Sequence, residues 1–251
     1  MSRRGRLLLF ALGGATLAAV LVIAERGLPS FGDYHGVYGR VVQATEPVLR
    51  RATDLVTALN FDLRAFDTVG EEFILFASVA GVALILRRMR DEDDRALAST
   101  PQEHRFTGAS DALQLLTLAL VPTFIALGVY VIIHGALTPG GGFQGGIVLA
   151  AGPLAMLLAG RYLALKRLAP VWALESVDAA GAMAYVLIGL GGLVFASSAL
   201  QNFLPLGTPG QLLSAGTMPL SSIAVGIEVT GAFLLTWTEF LDQALIVERR
   251  H

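Results

Sequence analysis

Apolar residues run through this chain in six long blocks, each bounded by charged or turn-forming residues. The blocks cover residues 7–23, 68–86, 112–133, 143–165, 177–195 and about 220–241. An α-helix rises about 1.5 Å per residue, so a run of about 20 residues crosses the roughly 30 Å hydrocarbon core of a bilayer. The second block is short if it starts at Phe73, and counting from Thr68 gives 19 residues. In the third, Pro122 removes one backbone hydrogen bond and predicts a kink. The first block follows Arg3, Arg4 and Arg6, as the apolar part of a secretory signal does. It is long for such a signal and reads as a first span. The pattern predicts an all-α integral membrane protein with about six transmembrane helices.

Between the first two blocks lies the one long polar segment, residues 25–66. Val41, Val48 and Leu55 recur there at seven-residue steps beside Val42, Leu49 and Val56. That spacing predicts an amphipathic helix, broken or restarted near Pro47. It suits a membrane surface or a partner protein, and equally a solvated connector. A second polar stretch, residues 91–104, is rich in charge and divides the chain into a two-helix module, 1–90, and a four-helix module, 105–251.

Composition agrees with lipid as the solvent. Hydrophobic residues make up 54% of the chain and charged residues only 15%, against about a quarter in soluble domains. With the amino terminus on the cytoplasmic side, 13 of the 18 basic residues fall on inner segments and none on the loops after the third and fifth spans. Both termini are then cytoplasmic, in a cell inner (plasma) membrane. There is no cysteine, which excludes disulfides, thiolate catalysis and cysteine-held clusters. The four histidines show no metal-ligand spacing. Neither a nucleophile–base pair nor a basic patch is visible, so enzyme chemistry, a bound cofactor or metal, and nucleic-acid binding are not expected.

Carboxyl groups at hydrocarbon depth are costly, about 3 kcal/mol or more on insertion scales, and each needs a reason. Glu228 lies about a third of the way into the last span, with Ala224, Gly231 and Ala232 on its face. It reads either as an ion relay or as a group joining two closely packed helices. Asp178, with Glu175 one turn before and Tyr185 on its face, reads as opening the fifth span, where an acid complements the helix dipole. Asp111 has the same reading at the start of the third. Asp67, Glu71 and Glu72 gather at one membrane boundary. Thr68 and Glu71 fit a capping box, while three acids together suit a cation path or protons shared between them.

The segment Thr138-Pro139-Gly140-Gly141-Gly142-Phe143-Gln144-Gly145-Gly146 lacks the Gly-Lys-Ser/Thr ending of a phosphate loop. Its glycines suit a tight turn and close backbone approach, and the pairs Gly141/Gly145 and Gly142/Gly146 open the fourth span with small residues four apart. His134 beside it reads as a hydrogen-bonded spectator, or as a group titrating near neutrality.

This glycine run, extended by Ile147-Val148-Leu149-Ala150, resembles the signature of the MnhB/MrpB family, the B subunits of multisubunit Mrp-type Na⁺/H⁺ antiporters. Relatives occur in membrane-bound hydrogenases. Leu204-Pro205-Leu206-Gly207, Leu213-Ser214-Ala215-Gly216-Thr217 and Ala224-Val225-Gly226-Ile227-Glu228-Val229 extend the likeness over residues 105–247. Upstream, Phe61-Asp62-Leu63-Arg64-Ala65-Phe66-Asp67-Thr68-Val69-Gly70-Glu71 is similar to the C-terminal end of the antiporter A subunit. The resemblance implies a fusion of an A-subunit tail with a B subunit. It implies a place in a multisubunit complex that moves Na⁺ and H⁺ across the bilayer, with other antiporter subunits as partners. A scaffold in a hydrogenase-like or other redox-driven pump is the alternative. Asp67, Glu71, Glu72, Asp178 and Glu228, with His134, are then the candidates for the ion path.

Overall fold

The computed structural model describes residues 3–28, 30, 32, 36–86, 110–159, 165 and 169–248. The charged stretch 91–104, His35 and the basic ends Arg87, Arg88, Lys166 and Arg167 lie outside the described residues. Regular structure among the described residues is helical: α1 (Arg3–Arg26), α2 (Val37–Leu49), α3 (Leu55–Ala58) running into a π-helical turn (Leu59–Leu63), α4 (Ala65–Leu86), α5 (Asp111–Ile133), α6 (Gly142–Leu158), α7 (Val171–Phe195) and α8 (Met218–Glu248). Five helices are long and apolar enough to span a bilayer: α1, α4, α5, α7 and α8. The fourth expected span, α6, is shorter than its sequence run. It has 17 residues and ends where Ala159 leaves helical geometry, at φ −79° and ψ 4°.

Two other expectations change. The break near Pro47 falls just after it: α2 keeps Pro47 and ends at Leu49, and Arg51 takes a positive φ of 55°. The fifth span begins six residues early, because Pro170 caps α7 and the apolar turn Val171–Leu174 precedes the acids. Asp178 therefore sits two turns inside the helix, beyond the reach of a terminal dipole. Asp111 stays in the first turn of α5, after an N-cap Ser110 whose Oγ accepts from Leu113 N at 3.2 Å. α5 continues through Pro122.

The chain forms two compact units, Met1–Val41 and Val42–His251. In the first, the apolar side chains of α1 from Leu7 to Ile23 are exposed, as suits a helix surrounded by lipid. In the second, α8 is central: 72% of its span is buried, against 11–28% for α4, α5 and α7. Small residues explain how α8 accepts its neighbours. A Cβ on Gly146 of α6 would lie 2.8 Å from the Val229 Cβ, and one on Gly142 would strike the Ser222 carbonyl. A Cβ on Gly181 of α7 would collide with the backbone of Glu228, and one on Gly231 would lie 2.6 Å from the Asp178 nitrogen. Between α5 and α6, Gly128 abuts Leu149 at 2.6 Å by the same measure. Such backbone proximity is how helices associate where lipid offers no hydrophobic drive.

Segment 51–57 straps onto the turn after α5. Thr53 N and Asp54 N both donate to the Ala136 carbonyl, at 3.1 and 3.2 Å. Thr53 Oγ1 donates to Leu137 O at 2.7 Å, Thr57 Oγ1 to Gly135 O at 2.6 Å, and Ser214 Oγ to Arg51 O at 2.9 Å. Ala52 is fully buried beneath these bonds. Across the fold, Asn202 fixes the last loop: its Nδ2 donates to Ala215 O at 3.0 Å and its Oδ1 accepts from Thr217 N at 2.9 Å, around Gly216 at φ +65°.

Candidate functional site

The sequence grouped Asp67, Glu71 and Glu72 as one cluster, and the helix splits it: Asp67 and Glu71, four apart, share an exposed face, while Glu72 turns inward. α4 begins at Ala65, so Thr68 and Glu71 lie past its first three positions and make no capping box. Thr68 Oγ1 instead donates to the Asn60 carbonyl at 2.8 Å. Asp67 points outward and pairs with Arg64. Glu71 is exposed and faces a cavity of about 390 Å³ whose wall includes Thr57, Asn60, Thr68, Gly141 and Gln144. Only Glu72, one position further, turns inward, and it is 3% exposed. A helix turns about 100° per residue, so neighbouring acids cannot share one face.

Glu72 meets two acids that the sequence placed far away. Asp178 on α7 is 3% exposed and Glu228 on α8 is 0% exposed. The Glu72 and Glu228 carboxyls face each other side chain to side chain, and Asp178 is near enough to act electrostatically on both. Both oxygens of Glu72, both of Glu228 and Oδ1 of Asp178 are buried without a hydrogen-bond partner of ordinary geometry. Gly181 and Gly231 draw α7 and α8 close enough for this meeting. Three helices thus bring three carboxyl groups into one buried junction, and an unmade hydrogen bond there costs about 1–3 kcal/mol.

Tyr185, 2% exposed, packs on Phe61 of the cavity wall; the sequence noted it only as sharing the face of Asp178. Its hydroxyl donates to Ala65 O at 3.2 Å, and the two ring centroids are 5.9 Å apart.

The remaining candidates lie elsewhere. His134 Nδ1 pairs with the Tyr130 carbonyl at 3.0 Å, and its ring stacks on that of Tyr130 at 3.9 Å. The glycine run folds as its sequence suggested: Gly140 and Gly141 have φ of +150° and +120°, and Gly142, Gly145 and Gly146 form the contact face of α6. Outside the spans, Glu46 of α2 is 3% exposed and one of its oxygens is unpartnered. Burial, then the nearby Asp62 carboxylate, raises its pKa above the ordinary range, partly offset by Arg50. Arg50 itself pairs with Asp62 at 2.7 Å. The sequence showed Glu46 as one of several acids in a polar stretch and gave no sign of its burial.

Apolar spans around a buried carboxyl junction define a multi-pass membrane protein with ionisable groups in its helical core. Residues 112–235 match the family described as a domain related to the MnhB subunit of Na⁺/H⁺ antiporter. The chain is 30% identical over 204 residues to the uncharacterized protein MJ1307 of Methanocaldococcus jannaschii, covering 72% of this chain and 76% of that one. It therefore belongs to the MnhB-related family. Among solved structures it resembles a chain of the membrane-bound sulfane sulfur reductase, an archaeal respiratory membrane complex, at a TM-score of 0.72 and 27% identity, with 94% of this chain and 98% of that one covered. It also shares its fold with part of a chain in the Mrp complex from Dietzia sp. DQ12-45-1b, at a TM-score of 0.72 and 22% identity, covering 95% of this chain and 26% of that one.

Proposed function

We propose that this chain is a subunit of a Mrp-type cation/proton antiporter and that Glu72, Asp178 and Glu228 form part of its ion path. The observation that carries this reading is the set of unpartnered carboxyl oxygens shared by three helices in a buried junction. Groups so costly to bury in a membrane protein are seldom kept for packing alone. Glu71, facing the cavity, is the outer member of the path. Asp67, tied to Arg64, is peripheral. Other subunits of the complex are the partners. The protein resides in the cell membrane with both termini cytoplasmic, and residues 1–90 act as an A-subunit-like tail joined to the B-like module.

The test replaces Glu72, Asp178 or Glu228 by its amide in the intact complex and follows Na⁺-driven proton movement in vesicles. Loss of transport with normal assembly supports the reading. Normal transport by all three variants refutes it.

A second reading has its own support. Similarity to the sulfane sulfur reductase chain extends over 98% of that chain. A redox-driven relative of the antiporters would use the same junction. Purification with neighbouring subunits separates the two: large partners with lysines inside their helices mark an antiporter, and iron–sulfur partners mark a redox machine.

A further inference from the structure

The amphipathic helix α2 is a sequence feature that the carboxyl junction leaves unused, and its side chains sort onto three faces. Val42 and Glu46 share one face and are buried, which fixes the rotation of the helix. Val37, Tyr38, Val41, Val48 and Leu49 fall within an adjoining arc of about 120°, and each is 52–73% exposed. Gln43 lies opposite that arc, with Arg40 beside it, and both are exposed. A connector surrounded by water gains nothing from five large apolar side chains on one stripe and polar ones across from it.

The fold sets the depth of this stripe. α2 runs into segment 51–57, whose bonds to Gly135, Ala136 and Leu137 hold it at the end of the span α5. The π-helical turn then leads into the span α4, which starts at Ala65. The segment therefore lies where two spans end and hydrocarbon gives way to water. Val56, Leu63 and Phe66 are exposed at the same level, and Phe66 continues through Phe73 and Leu84 as one exposed stripe of α4. Arg51 and Arg64, also exposed, stand among them; arginine stems lie on apolar surface while their guanidinium groups reach the polar headgroups. Helices of this protein meet one another through glycine, as at Gly146, Gly181 and Gly231. The outward stripe of α2 holds none, and its bulky side chains suit fluid acyl chains better than a second helix. We propose that α2 is an interfacial helix bound to lipid, its valine-rich stripe sunk among the acyl chains and its Arg40–Gln43 side in the aqueous layer.

The chain has no cysteine, so single substitutions Val48→Cys, Leu49→Cys and Gln43→Cys each place one nitroxide label on it. The experiment uses the complex with its partner subunits in phosphatidylcholine–phosphatidylglycerol nanodiscs, with the signal of the unsubstituted complex subtracted. Collision of the label with oxygen, which concentrates among acyl chains, is compared with collision with a polar nickel chelate, which stays in water. The ratio of oxygen to nickel collisions should be several-fold higher at positions 48 and 49 than at 43. As a second measurement, a benzophenone side chain in place of Val48, irradiated in native membranes, should yield adducts with the mass of phospholipid. Nickel collisions at 48 and 49 equal to those at 43 overturn the proposal in favour of a solvated face. An immobile label shielded from both reagents, with cross-links to a partner subunit, overturns it in favour of a protein interface.

Discussion

Glu228 offers the sharpest test of whether function or packing keeps carboxyls in this core. It is fully buried, faces Glu72, and neither oxygen has a hydrogen-bond partner of ordinary geometry. Methionine is of similar length, flexible and apolar, so Glu228→Met keeps the volume and removes the unmet polar atoms. Each buried polar atom left without a partner costs about 1–3 kcal/mol. Even if one oxygen recovers part of this through Glu72, the substitution should stabilise the protein by roughly 1–3 kcal/mol. For a chain of this size each kcal/mol is worth about 2–4 °C in Tm, so melting should rise by several degrees. Transport should fall to background. The assay is paired: thermal unfolding of the detergent-solubilised complex, and Na⁺-driven proton movement in vesicles. A stability gained as activity is lost marks a site held against its folding preference. Two results refute the reasoning. A lower Tm means the carboxyl is satisfied by a partner that packing supplies. Unchanged transport means that its charge chemistry is not used.

Gly181→Ala places a Cβ against the Glu228 backbone and should cost about 1–3 kcal/mol by overpacking, seen as a lower Tm together with reduced transport. Gly140→Ala combines a φ of +150° with a Cβ lying 2.8 Å from Val131 Cγ1; strain of this kind costs about 1–3 kcal/mol, and an unaltered melting curve would contradict the tight-turn account. Asn202→Ala removes two hydrogen bonds around the turn at Gly216, worth about 0.5–1.5 kcal/mol each, and should speed hydrogen exchange at Thr217. Glu46, whose pKa is raised by burial and by Asp62, binds its proton more tightly folded than unfolded. Its contribution is therefore complete below the unfolded pKa and lost as pH rises through the folded one. Exchange protection of residues 50–62 should weaken as pH climbs from acidic toward neutral, and Glu46→Gln should flatten that profile.

Much of the fold can be read from the chain because lipid is a simple solvent: runs of apolar residues become helices, since no other open segment satisfies its backbone. The start of α7 was hidden because Glu175 and Asp178 look like the edge of an apolar run, whereas Glu175 is exposed and Asp178 is buried. The site was half visible. Glu72, Asp178 and Glu228 could each be singled out by the cost of burial, and Gly231 beside Glu228 announced a close helix contact. Their convergence depends on α4, α7 and α8 meeting, which no local pattern encodes. Thr68 was misread for a related reason: a threonine three residues before a glutamate is a common cap, and only the position of Ala65 at the helix start excludes it. A subtler signal was present, since Thr68 and Glu72 are four apart and Asp178 and Tyr185 seven apart, each pair on one helical face.

The bonds from Thr53, Asp54 and Thr57 to carbonyls about 80 positions later have a consequence for how this polypeptide is organised. Together with the packing of α4 on α7 and α8, they make the stretch 42–86 an integral wall of the bundle. Its grip on residues 110–241 is non-covalent and already complete. Severing the peptide chain anywhere between residues 86 and 110 should leave two fragments that copurify. Joining them in one reading frame contributes stoichiometry, since every Glu72 from α4 arrives with one Asp178 from α7 and one Glu228 from α8.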